Sequence, residues 1–434
     1  MLPLFLILIL SLFVFYSIRF MMKRGHDLHA LAFFMLYIYT ILAQIGYAYF
    51  PELSDLFGAY FGPMLFYKYW AFMFFSFFFT FLLYRVLNPA NDKKDIYIVK
   101  STSLNYGEYF FFLIAILIYL ALNLYFERYR GLFEYGSGNP MGGPWFGIGF
   151  WIFTLCNFIL YTLARDKSNT IKKRIFSFIL FLLCLLFFLE VTIAAGTRSP
   201  ILYFFMGIAF YELSPIIKTI KYQKRNIFIL MVSAFFVISA LTILRDIRTQ
   251  GENIGFSSIF NHESSESQFS DQDLSTTILS QDYFLPSHTL FVSMQFNIID
   301  PLEVVKSNLA NSLVLLKYPF LSNTILKRGL GIENDRGVGW SYHYFVEGYN
   351  AIGLLGVFYN ALFWNLVMIL WIRLTQSNNR RHNKVMLSIM ALVIVLPMRG
   401  QTATFIHFYW MILLPGLVLS LLANNSTIAF FRRR

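Results

Sequence analysis

The chain has 434 residues, of which 57% are hydrophobic, 20% are aromatic and only 13% are charged. A composition this apolar excludes an ordinary water-soluble domain, because stretches of about 20 apolar residues recur along nearly the whole length. The net charge of +12 would suggest nucleic acid as the partner of a soluble protein. Here the basic residues collect in short loops between apolar stretches, which favours contact with anionic lipids and argues against a nucleic-acid partner.

The apolar stretches predict an all-α fold, a polytopic bundle of about 11 transmembrane helices. Residues 1–244 carry about eight spans, residues 245–347 form one large loop, and residues 348–434 carry about three spans. The first stretch lacks a basic region before it, which predicts an uncleaved span. The candidate spans are residues 2–20, 29–50, 63–87, 107–126, 145–164, 174–195, 199–214, 226–244, 348–372, 385–398 and 403–422.

The loops between these spans alternate in charge, and most of the 35 lysines and arginines fall on one side. The positive-inside rule assigns that side to the cytoplasm, so the amino terminus lies outside and the carboxy terminus inside. The basic set comprises Arg19, Lys23, Arg24, Arg85, Lys93, Lys94, Lys100, Arg165, Lys167, Lys172, Lys173, Arg174, Lys218, Lys221, Lys224, Arg225, Arg373, Arg380, Arg381, Lys384 and Arg432 to Arg434.

The same topology places the large loop on the outer side. Its first part, Gly251 to Thr277, is rich in Ser, Asn, Gln and acidic residues and predicts flexible structure. Its second part, Tyr283 to Leu316, spaces its apolar residues as short amphipathic helices do. Such helices lie on the membrane surface or cap a cavity.

Five arginines on the outer side run against the charge bias. Arg198 lies in AAGTRSP, Arg245 and Arg248 lie in ILRDIRT, Arg336 precedes the ninth span, and Arg399 lies in PMRGQT. They lie near the outer ends of four different apolar segments, so bundle packing could bring them together. Because guanidinium groups repel one another and bind phosphate oxygens in a fork, the set predicts a site for a diphosphate or another polyanionic head group. In the alternative interpretation, each arginine reaches lipid phosphate on its own.

Two further polar residues follow a glycine-rich approach to the ninth span. His343 and Glu347 are four residues apart, and an α-helix would turn them to one face. Histidine can accept a proton near neutral pH, and a carboxylate can act as the base or orient the histidine. Interfacial packing is the alternative for the histidine. The histidines, acids and both cysteines are too scattered for metal-ligand spacing, so we expect neither a metal nor another cofactor.

Several of these segments together resemble the Wzy-type polymerases of O-antigen and related capsular polysaccharides. They are the GTRSP turn between two central spans, the LRD segment leading into a long outer loop, the stretch GVGWSYHYFVEGYNAIGLLGV, and the late MRG turn. The resemblance covers most of the chain in topology, but in sequence only these short segments. Gly251 to Thr277 has no counterpart in the family pattern.

The resemblance implies a bacterial inner-membrane enzyme with a periplasmic amino terminus and a cytoplasmic carboxy terminus. Such an enzyme joins undecaprenyl-diphosphate-linked repeat units on the periplasmic side, without a metal ion or nucleotide sugar, and can work with a chain-length regulator protein. Arg198, Arg245, Arg248 and Arg399 would contact the diphosphate. Arg336, His343 and Glu347 would lie beside the sugar, with the base either His343 or Glu347.

Other functional classes remain open at this point. O-antigen ligases share much of this layout, including a periplasmic loop with arginine and histidine. A lipid-linked oligosaccharide flippase or other transporter would also use charges in the membrane, although transporters are commonly built from repeats, and we find no internal repeat. A non-enzymatic scaffold would not need arginines placed against the charge bias.

We predict that Arg198→Ala, Arg245→Ala or Arg399→Ala abolishes polymer growth without changing the protein level. Lysine at the same positions should restore growth poorly, because lysine lacks the planar fork that binds two phosphate oxygens at once. Polymer length on gels, beside immunoblots of the protein, measures the effect. Wild-type chain length in all three alanine variants would contradict a shared anion site.

Overall fold

The computed structural model is helical wherever it assigns regular structure. It describes residues 2–38, 40, 63–88, 106–129, 144–167, 169–195, 199–217, 294, 300–312, 321, 324, 327–328, 344–375, 380–394, 402–403, 406 and 409–424. In chain order the helices are α1 (Leu2–Lys23), α2 (Asp27–Tyr37), α3 (Pro63–Leu87), α4 (Tyr106–Arg128), α5 (Pro144–Arg165), α6 (Ile171–Ala194), α7 (Ser199–Ile217), α8 (Pro301–Ser312), α9 (Tyr344–Ile352), α10 (Leu354–Thr375), α11 (Arg380–Val393), a π-helical turn (Tyr409–Leu413) and α12 (Leu414–Asn424).

Six of these helices, α1, α3, α4, α5, α6 and α10, are long and apolar enough to cross a membrane. A helix satisfies its backbone hydrogen bonds internally, which is why apolar segments of this length adopt it in lipid. Within the described ranges no strand occurs. The prediction of an all-α membrane protein is therefore confirmed, whereas the count of 11 spans and the large periplasmic loop stay predictions.

Most predicted spans that fall on described residues coincide with a helix. The predicted spans 2–20, 63–87, 107–126, 145–164, 174–195 and 199–214 correspond to α1 and α3 to α7. α2 begins two residues before the predicted span 29–50 and ends at Tyr37. The predicted span 226–244 lies outside the described residues.

The ninth predicted span differs from the structure. Residues 348–372 were expected to form one helix, but the chain breaks at Gly353, which has a φ of +63°. Glycine adopts this left-handed conformation without the steric cost that other residues incur. The short helix α9 ends before the break and the long apolar helix α10 begins after it. Glu347 therefore lies on a separate short helix that precedes the candidate span.

α9 folds back against α10 at very short range. The backbones of Gly348 and Gly356 lie so close that a Cβ on either glycine would overlap the carbonyl group of the other. One helical turn or so further from the break, the Tyr344 hydroxyl donates to the Asn360 carbonyl at 3.0 Å, and the Asn360 side-chain amide donates to the Tyr344 carbonyl at 2.9 Å. Small residues at the crossing and amide hydrogen bonds beside it are a common way to join helices in lipid.

The chain divides into two units, and the first contains α1, α2, α3, α8, α9 and α10. α1 and α2 form an antiparallel pair through a turn at Gly25, whose φ is +79°. The guanidinium groups of Arg24 and Arg85 lie 4.4 Å and 5.5 Å from the ring centre of Phe20. Two basic residues that the charge pattern assigns to one side of the membrane thus meet on one aromatic ring.

The second unit contains α4 to α7, α11, the π-helical turn and α12. At the start of α6, Thr170 caps the helix, and the buried Lys173 ammonium pairs with the buried Glu108 carboxylate of α4. Arg165 at the end of α5 binds both oxygens of Glu212 at 2.9 Å and 3.0 Å. Removing either partner of a buried ion pair costs more than removing both, because a lone charge is left in a low-dielectric interior.

We predict that Gly356→Ala destabilises the protein, while Gly147→Ala on α5 does not. A methyl group at Gly356 must displace backbone atoms of Gly348, and overpacking of this kind costs about 1–3 kcal/mol or more. A methyl group at Gly147 meets nothing within 4 Å, and alanine favours a helix by up to about 1 kcal/mol over glycine. Thermal unfolding of both variants in detergent measures the difference. Equal melting temperatures for Gly356→Ala and the wild type would contradict the close crossing.

Candidate functional site

The site is built around the carboxylate of Glu347, on the first turns of α9. Only 3% of this residue is exposed. One carboxylate oxygen accepts a hydrogen bond from the Asn308 side-chain amide, and the other accepts one from the Thr402 backbone N–H at 2.6 Å. A buried carboxylate held by two N–H donors is satisfied without a neighbouring cation.

Asn308 connects the carboxylate to a third segment. Its side chain projects from α8, where its amide group donates to Glu347 and its carbonyl oxygen accepts from the Ala403 backbone N–H at 3.1 Å. Because these two bonds use opposite ends of the amide, they fix its orientation. Helix α8, helix α9 and residues 402–403 therefore meet at one point, although they are distant in the sequence.

Burial raises the pKa of Glu347 from its usual 4.5 to about 7. Loss of water around the charged carboxylate is the largest cause, and the hydrogen bonds from Thr402 and Asn308 oppose it in part. Near neutral pH the residue thus exists in both protonation states. A carboxyl group in this range can accept a proton from a substrate hydroxyl and release it again.

Packing around α9 holds this carboxylate in place. The Tyr344 ring lies 5.9 Å from the Trp364 ring of α10, and the Tyr349 ring meets the Phe72 ring of α3 edge to face at 5.3 Å. These contacts add to the Gly348 and Gly356 crossing. A site carried on a short helix is precise only when the helix itself is held on several sides.

Of the residues predicted from the sequence, Glu347 is the one that lies within the described residues. Its neighbours in the site come from two segments that the prediction had singled out. Thr402 and Ala403 follow the MRG segment, and α8 falls within the amphipathic part of the predicted large loop. The other predicted site residues lie outside the described residues, and these are Arg198, Arg245, Arg248, Arg336, His343 and Arg399.

Asn308, Thr402 and Ala403 were not among the residues predicted from the sequence. Thr402 and Ala403 contribute backbone N–H groups, which every residue except proline carries, so the sequence holds no signal for them. Asn308 does have a signal. Asn308 and its neighbour Ser307 are polar and lie on the less apolar face of an amphipathic helix. In the sequence they fall between the apolar residues Val304 and Leu309.

No ligand set for a metal ion occurs in the described part of the chain, where no three His, Cys, Asp or Glu residues cluster. Comparisons of the chain with protein-family models, with curated proteins and with solved structures gave no match.

We predict that the pH dependence of stability changes in Glu347→Gln. The raised pKa means that the folded protein binds more protons than the unfolded chain between pH 4.5 and 7. The stabilisation is therefore complete below about pH 4.5 and is lost as the pH rises through about 7, a change of roughly 3 kcal/mol. Glutamine does not titrate, so the variant should lack this part of the slope.

Melting temperatures in detergent from pH 5 to pH 8 measure the effect. At the acidic end glutamine should be clearly less stable than the protonated wild type, because its NH2 group would face one of the two N–H donors, from Asn308 or from Thr402. The difference in melting temperature between the two proteins should narrow at pH 8. Parallel pH profiles for the two proteins would contradict a buried, titrating Glu347.

Proposed function

We propose that this protein polymerises undecaprenyl-diphosphate-linked oligosaccharide repeat units at the periplasmic face of a bacterial inner membrane, in O-antigen or capsular polysaccharide synthesis. The observation that carries the proposal is the buried Glu347 carboxylate, with a pKa of about 7, on the segment that resembles the polymerase family. Residues that follow the MRG turn, a second segment of the resemblance, supply one of its hydrogen bonds.

In the proposed reaction a hydroxyl of the acceptor sugar attacks the anomeric carbon of the donor. The new glycosidic C–O bond forms while the bond from the anomeric carbon to the diphosphate oxygen breaks, and its electron pair leaves with undecaprenyl diphosphate. The hydroxyl proton passes to Glu347, directly or through His343, and then to water. A carboxylate with a pKa near the working pH is suited to this exchange.

In this proposal the arginines stabilise the leaving group. Charge builds up on the diphosphate as the bond breaks, and fixed guanidinium groups stabilise that charge more strongly in a low-dielectric pocket than in water. Arg198, Arg245, Arg248 and Arg399 have this role in the proposal, and Arg336 lies beside the sugar. No metal ion or nucleotide is required. A chain-length regulator is a proposed partner.

An O-antigen ligase would use the same chemistry with a different acceptor. A lipid-linked oligosaccharide flippase is the second candidate, and one observation favours it. The break at Gly353 divides the segment into two helices beside a protonatable carboxylate, and broken helices of this kind often surround the substrate and ion sites of transporters.

Purified protein in liposomes, given a synthetic undecaprenyl-diphosphate repeat unit with EDTA and no nucleotide, tests the proposal. We expect a ladder of lipid-linked oligomers on gels and in mass spectra. Transfer to a lipid A core acceptor alone would identify a ligase. Movement of the substrate across the membrane without transfer would identify a flippase, and either result would overturn the polymerase.

In the same assay, Glu347→Gln and His343→Ala should each slow the reaction at least about tenfold, as expected for loss of a general base or its partner. Glu303→Gln is the matched control, because this acid lies on α8 close to Asn308 in sequence but pairs with Arg328 at 2.7 Å and is partly exposed. It should retain wild-type turnover. Near-normal rates in both Glu347→Gln and His343→Ala would remove these residues from the chemistry.

A further inference from the structure

Helix α8 leaves large apolar side chains uncovered, unlike a helix packed on the surface of a soluble protein. Its apolar residues Leu302, Val305 and Leu309 are 55%, 52% and 62% exposed. Its inward side carries the buried residues Val304, Ser307 and Ala310, and Asn308 is turned toward Glu347. Three of the four large apolar side chains of the helix thus point away from its packed side.

The three exposed residues form one continuous face. They are spaced three and four residues apart, which places them in a single stripe along the helix. In water such a stripe packs against the core, because exposure of large apolar side chains is unfavourable. A stripe that points outward, on a helix whose other face is occupied, is typical of a helix that contacts lipid.

The helices next to α8 indicate what covers this stripe. α8 packs on α9, and α9 is joined through Gly353 to α10, a candidate membrane span in the same unit. α9 and α10 also turn apolar side chains outward near that junction, at Ile352, Leu354 and Leu355. The exposed face of α8 therefore belongs to a unit whose apolar surface already needs lipid around it.

The charges on α8 suit a position at the lipid headgroups. Lys306 is exposed on the same side as Leu302 and Leu309, where its long side chain can reach lipid phosphate. Glu303, the single acidic residue of the helix, is paired through both oxygens with Arg328 at 2.7 Å. The acid is thus neutralised, and α8 offers an anionic membrane surface no uncompensated negative charge.

We propose that α8 is a membrane-interface helix, with Leu302, Val305 and Leu309 inserted at the boundary between headgroups and acyl chains. Asn308 lies beside Val305 on the helix surface, at the edge of the exposed stripe, and donates to Glu347. The bilayer then helps to position the donor that binds the buried carboxylate. The proposal rests on the exposed apolar stripe of α8 and is independent of the reaction assigned to the site.

Site-specific fluorescence quenching tests it in the full-length protein. In a background with Cys156→Ala and Cys184→Ala, single cysteines replace Leu302, Val305 or Leu309 and are labelled with an environment-sensitive maleimide dye. Lys327→Cys is the control, because Lys327 is an exposed basic residue outside α8. The proteins are reconstituted into vesicles of phosphatidylcholine and phosphatidylglycerol, with or without bromine atoms near the top of the acyl chains.

We expect brominated lipid to quench the dye at 302, 305 and 309 at least about threefold more strongly than at 327, since interfacial helices bury their apolar face about 5–10 Å into the headgroup boundary. Iodide in the aqueous phase should quench the dye more strongly at 327 than at 302, 305 and 309. Strong iodide quenching at the three positions would overturn the proposal by placing the stripe in water. Protection from both quenchers would overturn it as well, because a second copy or another protein would then cover the stripe.

Discussion

The backbone contact between Gly348 and Gly356 determines where the candidate site can be. It allows α9 to fold back along α10, and the turn at Gly353 makes that reversal possible. With any side chain at the crossing, the two helices would be forced apart, and Glu347 would move away from the amides of Asn308 and Thr402. The site is thus a consequence of three glycines, none of which touches its carboxylate.

Charged side chains in the two units are satisfied in different ways. Lys173 and Glu108 pair in the interior of the second unit, and the half-exposed Arg165 binds Glu212 through two hydrogen bonds. Glu347 has no such cation in its described surroundings and is held by amide donors instead. An ion pair keeps both partners charged, whereas amide donors leave a carboxylate free to titrate. This difference separates groups that hold helices together from a group suited to proton transfer.

The proposed reaction and the proposed lipid contact meet at Asn308. Its amide binds the carboxylate, and its helix presents an apolar stripe beside it. An enzyme whose donor and acceptor are both lipid-linked must work where lipid and water meet, so a site held partly by the bilayer suits that task. A site held in this way would also suit a flippase, because the lipid-linked substrate of a flippase enters from the same layer of the membrane. The polymerase and the flippase differ in whether the bond to the diphosphate breaks, and not in the position of the site.

The sequence by itself determined that this is a helical membrane protein, because long apolar stretches in lipid leave the backbone no other way to satisfy its hydrogen bonds. It also singled out Glu347, because an acidic residue at the start of an apolar stretch is conspicuous. The break at Gly353 was not predictable, since glycine is common within spanning helices as well as between them. The partners of Glu347 were decided by the tertiary structure alone. One partner is the backbone N–H of Thr402, which any residue except proline would supply. The other, Asn308, lies 39 residues away and becomes a partner only when α8 packs on α9.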